Sequence, residues 1–508
     1  MTVSAPRKDN FNLVAAGLAL LHFLLGLVVF EPTLFPGGDN AAYLILGEAL
    51  RTGEGYRDLY LPGTPLHDKY PPLLPSLLAL SGWVGGVIVA KVLMLAFTSG
   101  VVWVTAHFGR RWAGKGPALA AAGVLAVNPT LLEYGHYILS EAPFTLFVTL
   151  ALWMALRGDR KSVVFALVAA ALAFMTRTAG LALLVALPLA WLLEGRRVRA
   201  LGAAGAAAAV IGGWVLYQRW VAPGRGGYLA ELLLANPYDA GAGSVEVGGL
   251  VVRAAENSWR YVESVLPQTL AGPGTLSGAG GVSIALGLAV AAAALAGWAL
   301  RAREGLRPVE VFAFLYTGII LTWPTAWTDR RFLLPLLPVL LVFAFVAVWR
   351  LASPSRAWIG WAAAIVIAVF GVSWVAGTAP DRIACAASYR AGRPCDRPAE
   401  ASLYAAARWA RDHTPPDAII VNRKPRLFYW HARRGGDAYA FSSDPATVMR
   451  GLEEMGADYV VVDQISATTG RYLVPAIQAY QTRFELVYGD GEPPSYIFRL
   501  LPAPASTD

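Results

Sequence analysis

Residues 36–75 read PGGDNAAYLILGEALRTGEGYRDLYLPGTPLHDKYPPLLP. This stretch follows the first hydrophobic run of the chain and carries Asp39 directly after a glycine pair. A short amphipathic helix is predicted at about 41–52, and a Gly- and Pro-rich loop follows it. The stretch then returns to apolar sequence through HDKYPPLLP. Acidic residues gathered beside lipid-compatible sequence indicate a functional loop, because ionisable groups at a membrane are costly.

The composition around this stretch is that of a membrane protein. Of 508 residues, 56% are hydrophobic and only 15% are charged, whereas soluble domains carry about 25% charged residues. Apolar runs of roughly 18–22 residues recur between Phe11 and Gly377, which predicts a polytopic α-helical protein in a lipid bilayer. The net charge of +8 does not indicate a nucleic-acid partner, because the cations lie in short loops between the spans.

The positive-inside rule then predicts the topology. Arg7 and Lys8 place the N-terminus in the cytoplasm, and no small-residue cleavage site follows Val29, so the first span is expected to stay uncleaved. The first loop, 31–71, is then outside. If the apolar run 71–89 only dips into the membrane, every later basic cluster falls inside, and we adopt this placement although a full crossing stays open. About 11 spans result, with a large outer loop at 219–281.

The composition changes after residue 378, which predicts two domains. Residues 1–378 form an all-α polytopic membrane domain, and 379–508 form a small extracytoplasmic α/β domain. Helices are predicted at 399–413 and 445–455, and strands at 418–421, 459–463, 484–488 and 496–500. The two cysteines, Cys385 and Cys395, both lie at the start of this outer domain. A disulfide between them is predicted, because no third cysteine remains and the outer compartment is oxidising.

On this topology, charged residues that are far apart in the sequence come to the outer ends of the spans. They are Asp39, His67, Asp68, Lys69, His136, Glu141, Arg177, Asp329, Arg330 and Arg331. Lys and Arg at a membrane boundary suit a phosphate headgroup, and a nearby carboxylate can accept a proton from an attacking hydroxyl. A lipid phosphate is a good leaving group once its charge is neutralised. One base and a cationic clamp would therefore support a single, inverting displacement at a sugar carbon, unlike a retaining two-carboxylate scheme.

The order of five motifs resembles the GT-C membrane glycosyltransferases. The motifs are GDNAAY, HDKYPPLLP, NPTLLEYGHYILSEAPF, MTRTAGLALL and DRRFLLPLLP. The most similar branch is the bacterial one related to protein O-mannosyltransferases and lipid A aminoarabinose transferases, and the resemblance covers about residues 10–350. An outer α/β tail with a string like PPDAIIVNRKPRLFYW is also usual there. The resemblance implies transfer of a sugar from a polyprenyl monophosphate carrier to an acceptor hydroxyl outside the cytoplasmic membrane.

The resemblance also implies roles for the first-loop residues. Asp39 matches the first-loop acid and is expected to be the general base. Relatives often show Asp-Glu there, whereas Asn40 follows in this chain. Lys69, which precedes Tyr70 in the motif, matches a lysine near the carrier phosphate, and Tyr70 is expected to bind the substrate with it. Asp68 matches an acid that orients Lys69 or an ion.

Four residues of the later motifs take roles in the same way. Glu141 matches the acid of the second outer loop, where Asp is commoner, and is expected to take part in catalysis. Arg177 matches a basic position near the phosphate. Arg330 and Arg331 are both candidates for a further phosphate contact, and the sequence does not choose between them.

Structural interpretations compete with these roles. Asp39 and Glu141 are placed to cap helices, Lys69 to snorkel and Arg177 to pair with a buried acid. His67 and His136 are weak candidates for metal ligands, because histidines at such positions are more often hydrogen-bonded structural residues. A divalent metal ion stays open as a cofactor, since Arg and Lys alone can neutralise a monophosphate. The competing functions are a lipid or glycan transporter or flippase and a glycan-binding assembly protein. The acceptor, whether protein, lipid-linked glycan or cell-wall polymer, and the sugar stay unassigned.

Overall fold

The structure is a computed structural model that describes residues 9–502 except 224–226, 239–242, 277, 353 and 394. Arg7 and Lys8, on which the predicted orientation of the N-terminus depends, lie outside the described residues, as do residues 503–508 of the predicted outer domain. The described chain consists of a large helical part followed by a small domain built on a four-stranded sheet.

Apolar helices form the membrane part. In chain order they are α1 (Phe11–Val28), α2 (Gly38–Thr52), α3 (Leu73–Val84), α4 (Gly86–Ala113), α5 (Lys115–Ala126), α6 (Pro129–Tyr134), α7 (Glu141–Arg157), α8 (Arg160–Thr176), α9 (Leu181–Leu193), α10 (Arg197–Val221), α11 (Gly227–Leu233), α12 (Val247–Arg260), α13 (Leu266–Ala271), α14 (Gly280–Ala302), α15 (Pro308–Thr322), α16 (Arg330–Leu333), α17 (Leu337–Leu351) and α18 (Trp358–Arg390). The predicted polytopic helical class is confirmed.

The structure confirms the polytopic helical class, whereas the predicted number of membrane crossings is a separate question. Among the described residues, α1, α4, α10, α14 and α18 are the five helices long and apolar enough to cross a bilayer by themselves. The other apolar helices are shorter, so the count of about 11 spans stays a prediction. Helix α3 has 12 residues and is about 18 Å long at 1.5 Å per residue, whereas the hydrocarbon core measures about 30 Å. This length fits the prediction that residues 71–89 enter the membrane without crossing it.

Ion pairs join helix ends that are predicted to lie in the cytoplasm. Asp9, just before α1, accepts from Arg110 (2.7 Å) and Lys115 (3.0 Å) at the junction of α4 and α5. The guanidinium of Arg350 pairs with Glu304 at the ends of α17 and α14. The start of α1 therefore lies on the same side as the basic residues at the junction of α4 and α5, which agrees with the topology drawn from charge.

Small residues allow the helices to pack closely. The backbone of α14 approaches α17 so tightly at Gly297 that a Cβ atom there would lie 1.9 Å from the Phe343 carbonyl oxygen. Gly47 of α2 sits against Pro75 and Leu78 of α3 in the same way, with a Cβ position 3.1 Å from the Pro75 carbonyl oxygen. Close backbone approach through small residues is typical of membrane helices, and at Gly47 it fixes α2 against α3.

The outer domain follows α18, which continues past the predicted boundary at residue 378 to Arg390. Its helices and strands are α19 (Pro398–His413), β1 (Ile420–Val421), α20 (Pro425–Ala432), α21 (Pro445–Glu454), β2 (Tyr459–Val462), α22 (Val474–Ala479), β3 (Phe484–Asp490) and β4 (Ser495–Leu500). We call residues 398–502 the tail domain.

The sheet of the tail domain has the strand order β1-β2-β4-β3. β1 and β2 are parallel, whereas β4 runs antiparallel to both β2 and β3. The small α/β fold predicted for this region, with helices near 399–413 and 445–455 and a final hairpin, is confirmed. Cys385 and Cys395 form a disulfide with Cα atoms 5.4 Å apart, between the end of α18 and the tail domain.

Candidate active site

The first outer loop holds Asp39 in the first turn of α2. A carboxylate is favoured there because the N-terminus of a helix carries partial positive charge. The next residue, Asn40, is fully buried, and its Oδ1 accepts from the Ile138 backbone N–H over 2.8 Å. Asn40, which departs from the Asp-Glu pair that the resemblance leads one to expect, thus ties the predicted first outer loop to the segment before α7. This contact fixes the position of Asp39 relative to α7.

Each oxygen of the Asp39 carboxylate has its own partners. Oδ1 accepts from the Tyr70 hydroxyl over 2.9 Å, and Oδ2 accepts from Arg331 Nη2 over 3.0 Å. Arg426 Nη1 lies 3.7 Å from Oδ1. Burial by itself raises the pKa of Asp39, but Arg331, Arg426 and the Tyr70 hydroxyl outweigh it and hold the pKa well below its ordinary value. Asp39 is therefore ionised, and 27% of its side chain is exposed.

The second predicted acid, Glu141, shares a guanidinium with Asp39. Arg331 Nε donates to Glu141 Oε1 over 2.7 Å, and Arg177 donates to the same oxygen. The Phe332 ring lies 5.0 Å from the Arg177 guanidinium and 5.5 Å from that of Arg331, within the range of cation–π attraction. The side chain of Glu141 is completely buried. Glu141 is thus placed to hold the two arginines, whereas Asp39 is open to an incoming group.

Five sequence-predicted residues therefore meet at one place. Asp39, Tyr70, Glu141, Arg177 and Arg331 are joined by hydrogen bonds or ion pairs, although the sequence scatters them over almost 300 positions. Arg177 therefore pairs with a buried acid, which was one of the two expectations for it, whereas its role near the phosphate stays a prediction. We call these five residues together with Arg426 the carboxylate–guanidinium cluster.

Other predicted residues lie at the margin of the cluster. Arg330 donates to Glu133 over 2.8 Å, so Arg331 and not Arg330 contacts the two carboxylates. The Lys69 ammonium pairs with Glu231 of α11 over 2.6 Å, and 40% of the Lys69 side chain is exposed. The Asp68 backbone carbonyl accepts from Gln218 of α10 over 2.7 Å. Lys69 and Asp68 are thus held by the large outer loop and the end of α10.

The two histidines weighed as metal ligands make structural hydrogen bonds. His67 Nε2 accepts from the Tyr70 backbone N–H over 2.7 Å, while Nδ1 lies 2.9 Å from the Asp58 carboxylate. His136 Nε2 lies 2.9 Å from the Gly26 carbonyl oxygen. Within the described ranges, no group of three or more His, Cys, Asp or Glu side chains is arranged to hold a metal ion. The oxygens of Asp39 are already engaged by cations, so this donor set does not fit a divalent ion.

Arg426 is the member of the cluster that the sequence did not single out. It lies in α20 of the tail domain, donates to the Tyr70 hydroxyl over 3.1 Å and approaches Asp39. The string NRKPR at 422–426 is a signal in the sequence, because two cations precede a helix and a third lies in its first turn, in a domain predicted to lie on the same side as Asp39. Nothing in the sequence, however, fixes how the tail domain sits on the first outer loop.

The chemistry available to the cluster follows from its charges and exposure. Three guanidiniums face two carboxylates, so the cluster is suited to receive an anion. Asp39 is the carboxylate that an external hydroxyl can reach, and the buried Glu141 orients Arg177 and Arg331. A proton acceptor beside several arginines is an arrangement that can deprotonate a nucleophile while stabilising a phosphate leaving group.

Comparison with solved structures identifies the fold. The structure of ArnT from Cupriavidus metallidurans bound to undecaprenyl phosphate superposes with a TM-score of 0.59 and 13% identity, over 98% of this chain and 99% of that one. The oligosaccharyltransferase AglB from Archaeoglobus fulgidus, in complex with an inhibitory peptide and a dolichol-phosphate, gives 0.56 and 14%, over 88% of this chain and 69% of that one. No protein-family model and no curated protein sequence matches the chain.

The likeness to ArnT spans almost the whole of both chains, so it includes the tail domain as well as the helices. It agrees with the resemblance drawn from the order of the five sequence motifs. The chain therefore has the GT-C fold of membrane glycosyltransferases.

Proposed function

We propose that this protein is an inverting glycosyltransferase that moves a sugar from a polyprenyl-monophosphate carrier to an acceptor hydroxyl. The observation that carries the proposal is the position of Asp39, a partly exposed carboxylate that contacts Arg331 directly and lies beside Arg426. The solved structures of ArnT and AglB, which share the fold, hold undecaprenyl phosphate and dolichol-phosphate respectively. The outer face of a bacterial cytoplasmic membrane is the expected location, with the N-terminus in the cytoplasm.

The proposed reaction has a single displacement step. The acceptor hydroxyl gives its proton to Asp39 and its oxygen attacks the anomeric carbon. The bond from that carbon to the phosphate oxygen breaks, and its electron pair stays on the phosphate. The phosphate thereby changes from one negative charge to about two. Cations that contact it gain interaction energy as the bond breaks, which is the differential binding that lowers a barrier. Arg177, Arg331 and Lys69 are proposed to be these cations.

The ion pairs of Asp39 imply a sequence of events at the site. While Arg331 contacts Asp39, the carboxylate is a weak base because its pKa is held low. A carrier phosphate that attracts Arg331 would take this cation from Asp39 and so raise the basicity of the carboxylate. The site would then acquire its proton acceptor only when the donor is bound.

Donor cleavage in nanodiscs tests the proposed function. The purified full-length protein is incubated with a panel of polyprenyl-phosphate sugars of defined anomeric configuration, with protein and glycan hydroxyl acceptors. We expect one donor to be consumed, with release of polyprenyl phosphate and a product of opposite anomeric configuration by nuclear magnetic resonance. Transport of the intact lipid between leaflets without cleavage of any donor would contradict the proposal and favour a flippase.

A further inference from the structure

The tail domain is fastened to the first outer loop beside the cluster. The Gly436 backbone N–H donates to the Tyr60 carbonyl oxygen over 2.8 Å, and Arg433 pairs with Glu48 of α2 over 2.7 Å. Both contacts come directly after the end of α20, so they hold this helix against the loop that carries Asp39 and Tyr70. The position of Arg426 at the cluster is therefore supported by contacts at the end of its own helix.

Arg426 itself is held in a defined orientation. Its guanidinium lies 5.3 Å from the Tyr60 ring and 5.6 Å from the Tyr70 ring, and it donates to the Tyr70 hydroxyl. Arg331 reaches Asp39 Oδ2, whereas Arg426 approaches Oδ1. The two guanidiniums thus flank the carboxylate from two sides, one from the membrane domain and one from the tail domain. An anion that enters beside Asp39 can contact both.

A second cation, Lys424, lies close to Arg426 in the chain. Lys424 immediately precedes α20, and no described residue forms a hydrogen bond or ion pair with its ammonium group. Burial lowers the pKa of Lys424, and the nearby carboxylates of Asp39 and Asp463 act against this shift. Its neighbour Arg423 differs, because it donates to Thr468 over 2.8 Å and stacks on Phe441. Arg423 is thus structural, whereas Lys424 is available to a ligand.

We propose that Arg426 and Lys424 of the tail domain complete the binding site for the carrier phosphate. This inference rests on the proposed function and extends it, because it makes the tail domain a part of the donor site rather than an appendage that selects acceptors. The charges support the assignment. Before the reaction, the three guanidiniums of the cluster leave one positive charge over its two carboxylates, and Lys424 adds a second, so the site is net positive toward the phosphate. Protonation of Asp39 removes one negative charge from the cluster as the phosphate gains its second.

Binding of polyprenyl monophosphate to the full-length protein in nanodiscs tests this inference, with uncharged polyprenol as the reference ligand. Charge-assisted hydrogen bonds are strong, so we expect Arg426→Gln to weaken phosphate binding about tenfold or more. Arg426→Lys should restore part of the affinity, and Lys424→Gln should weaken binding several-fold. Arg411→Gln, on the exposed surface of α19, is the matched control and should bind as the wild type does. Polyprenol binding should stay unchanged in every variant.

The outcomes separate this inference from the function on which it rests. Wild-type affinity in both Arg426→Gln and Lys424→Gln would overturn the role of the tail domain and leave the proposed function intact. If the two variants raised only the KM for the acceptor, the role of the tail domain in donor binding would be overturned as well. If the wild-type protein did not distinguish polyprenyl monophosphate from polyprenol, the proposed function and this inference would both fall. Lys424→Gln guards against misfolding as an explanation, because the Lys424 side chain makes no hydrogen bond to the part of the chain that the structure describes.

Discussion

Arg331 and Asp39 are 292 positions apart in the chain, yet Arg331 Nη2 donates to Asp39 Oδ2 over 3.0 Å. The same guanidinium donates through Nε to the buried Glu141. Arg331 thereby joins the start of α2 and the start of α7 through one planar group, an arrangement for which Arg is better suited than Lys. The two carboxylates that the sequence singles out are thus coupled, and we propose different roles for them because Asp39 is partly exposed and Glu141 is buried.

The buried contact between Glu141 and Arg177 predicts coupled effects on stability. Removal of one partner leaves a buried charge uncompensated, so we expect Glu141→Gln and Arg177→Gln each to lower the free energy of unfolding by about 3 kcal/mol. The double variant should lose less than the two single variants together, because the charges disappear as a pair. Unfolding in sodium dodecyl sulfate measures this, with Glu304→Gln as a half-exposed control. Additive losses would show that the two side chains do not interact.

The Tyr70 hydroxyl predicts a shift in the pH dependence of sugar transfer. Its hydrogen bond favours the ionised form of Asp39, so Tyr70→Phe should raise the pKa of Asp39. Transfer requires the carboxylate, and the acid limb of the kcat profile should therefore move to higher pH in the variant. Tyr480→Phe, in the tail domain, is the control. An acid limb that moved to lower pH, or not at all, would contradict the assignment of Asp39 to that limb.

The ion pairs of Asp39 with Arg331 and Arg426 make the free energy of unfolding depend on pH. The folded-state pKa of Asp39 is depressed, so its contribution to stability is fully present above the unfolded-state pKa of about 3.9. This contribution is lost as pH falls from that value through the depressed folded-state pKa. Asp39→Asn should therefore flatten the acid side of the stability curve, and it should leave the slope above pH 5 unchanged.

The exposed ammonium of Lys69 predicts an effect on donor affinity. Lys69 lies at the margin of the cluster, pairs with Glu231 and is 40% exposed, so a carrier phosphate can reach it from solvent. We expect Lys69→Gln to raise the KM for the donor about tenfold, the usual scale for one charge-assisted contact. Lys69→Arg should recover most of this loss, and Lys161→Gln at the opposite end of the bundle should have no effect. Unchanged KM in Lys69→Gln would remove this lysine from the phosphate site.

The cysteines predict a pattern of chemical labelling. After denaturation without a reductant, a thiol-reactive polyethylene glycol should modify neither Cys385 nor Cys395, because the two form a disulfide. After reduction, both thiols should react, and the apparent mass of the protein on a gel should increase by that of two polyethylene glycol chains. Closure of so short a loop is expected to contribute about 3 kcal/mol. Labelling of both thiols without reduction would contradict the outer location of this part of the chain, since disulfides persist in oxidising compartments.

Much of the fold could be predicted from the sequence because hydrophobic periodicity and charge act locally. The helices at 399–413 and 445–455 and the final hairpin have caps, turns and alternating patterns within short windows. The class of the membrane domain followed from apolar runs. The number of crossings could not be fixed in the same way, because α3, α5 and α17 are apolar but shorter than a bilayer.

The site could be predicted only in part, for physical reasons that particular residues illustrate. Asp39, Glu141 and Arg177 stand out because charge beside lipid needs compensation. The choice between Arg330 and Arg331 depends on the direction of side chains on the short α16, which a sequence does not give. The position of Arg426 in the cluster depends on how the two domains dock. Asn40 stands out in the sequence only because it departs from the expected Asp-Glu pattern. In the structure, Asn40 fixes the separation of two loops.

The rate of sugar transfer by Asp39→Asn in nanodiscs tests the central claim most directly. Asn has nearly the same shape as Asp but cannot accept the proton of the attacking hydroxyl, and general base catalysis contributes about 10²–10⁴-fold. We predict that kcat falls by about this factor while polyprenyl monophosphate still binds, and that Asp412→Asn, on the exposed surface of the tail domain, transfers sugar normally. Transfer by Asp39→Asn at the wild-type rate would contradict the role of Asp39 as the base.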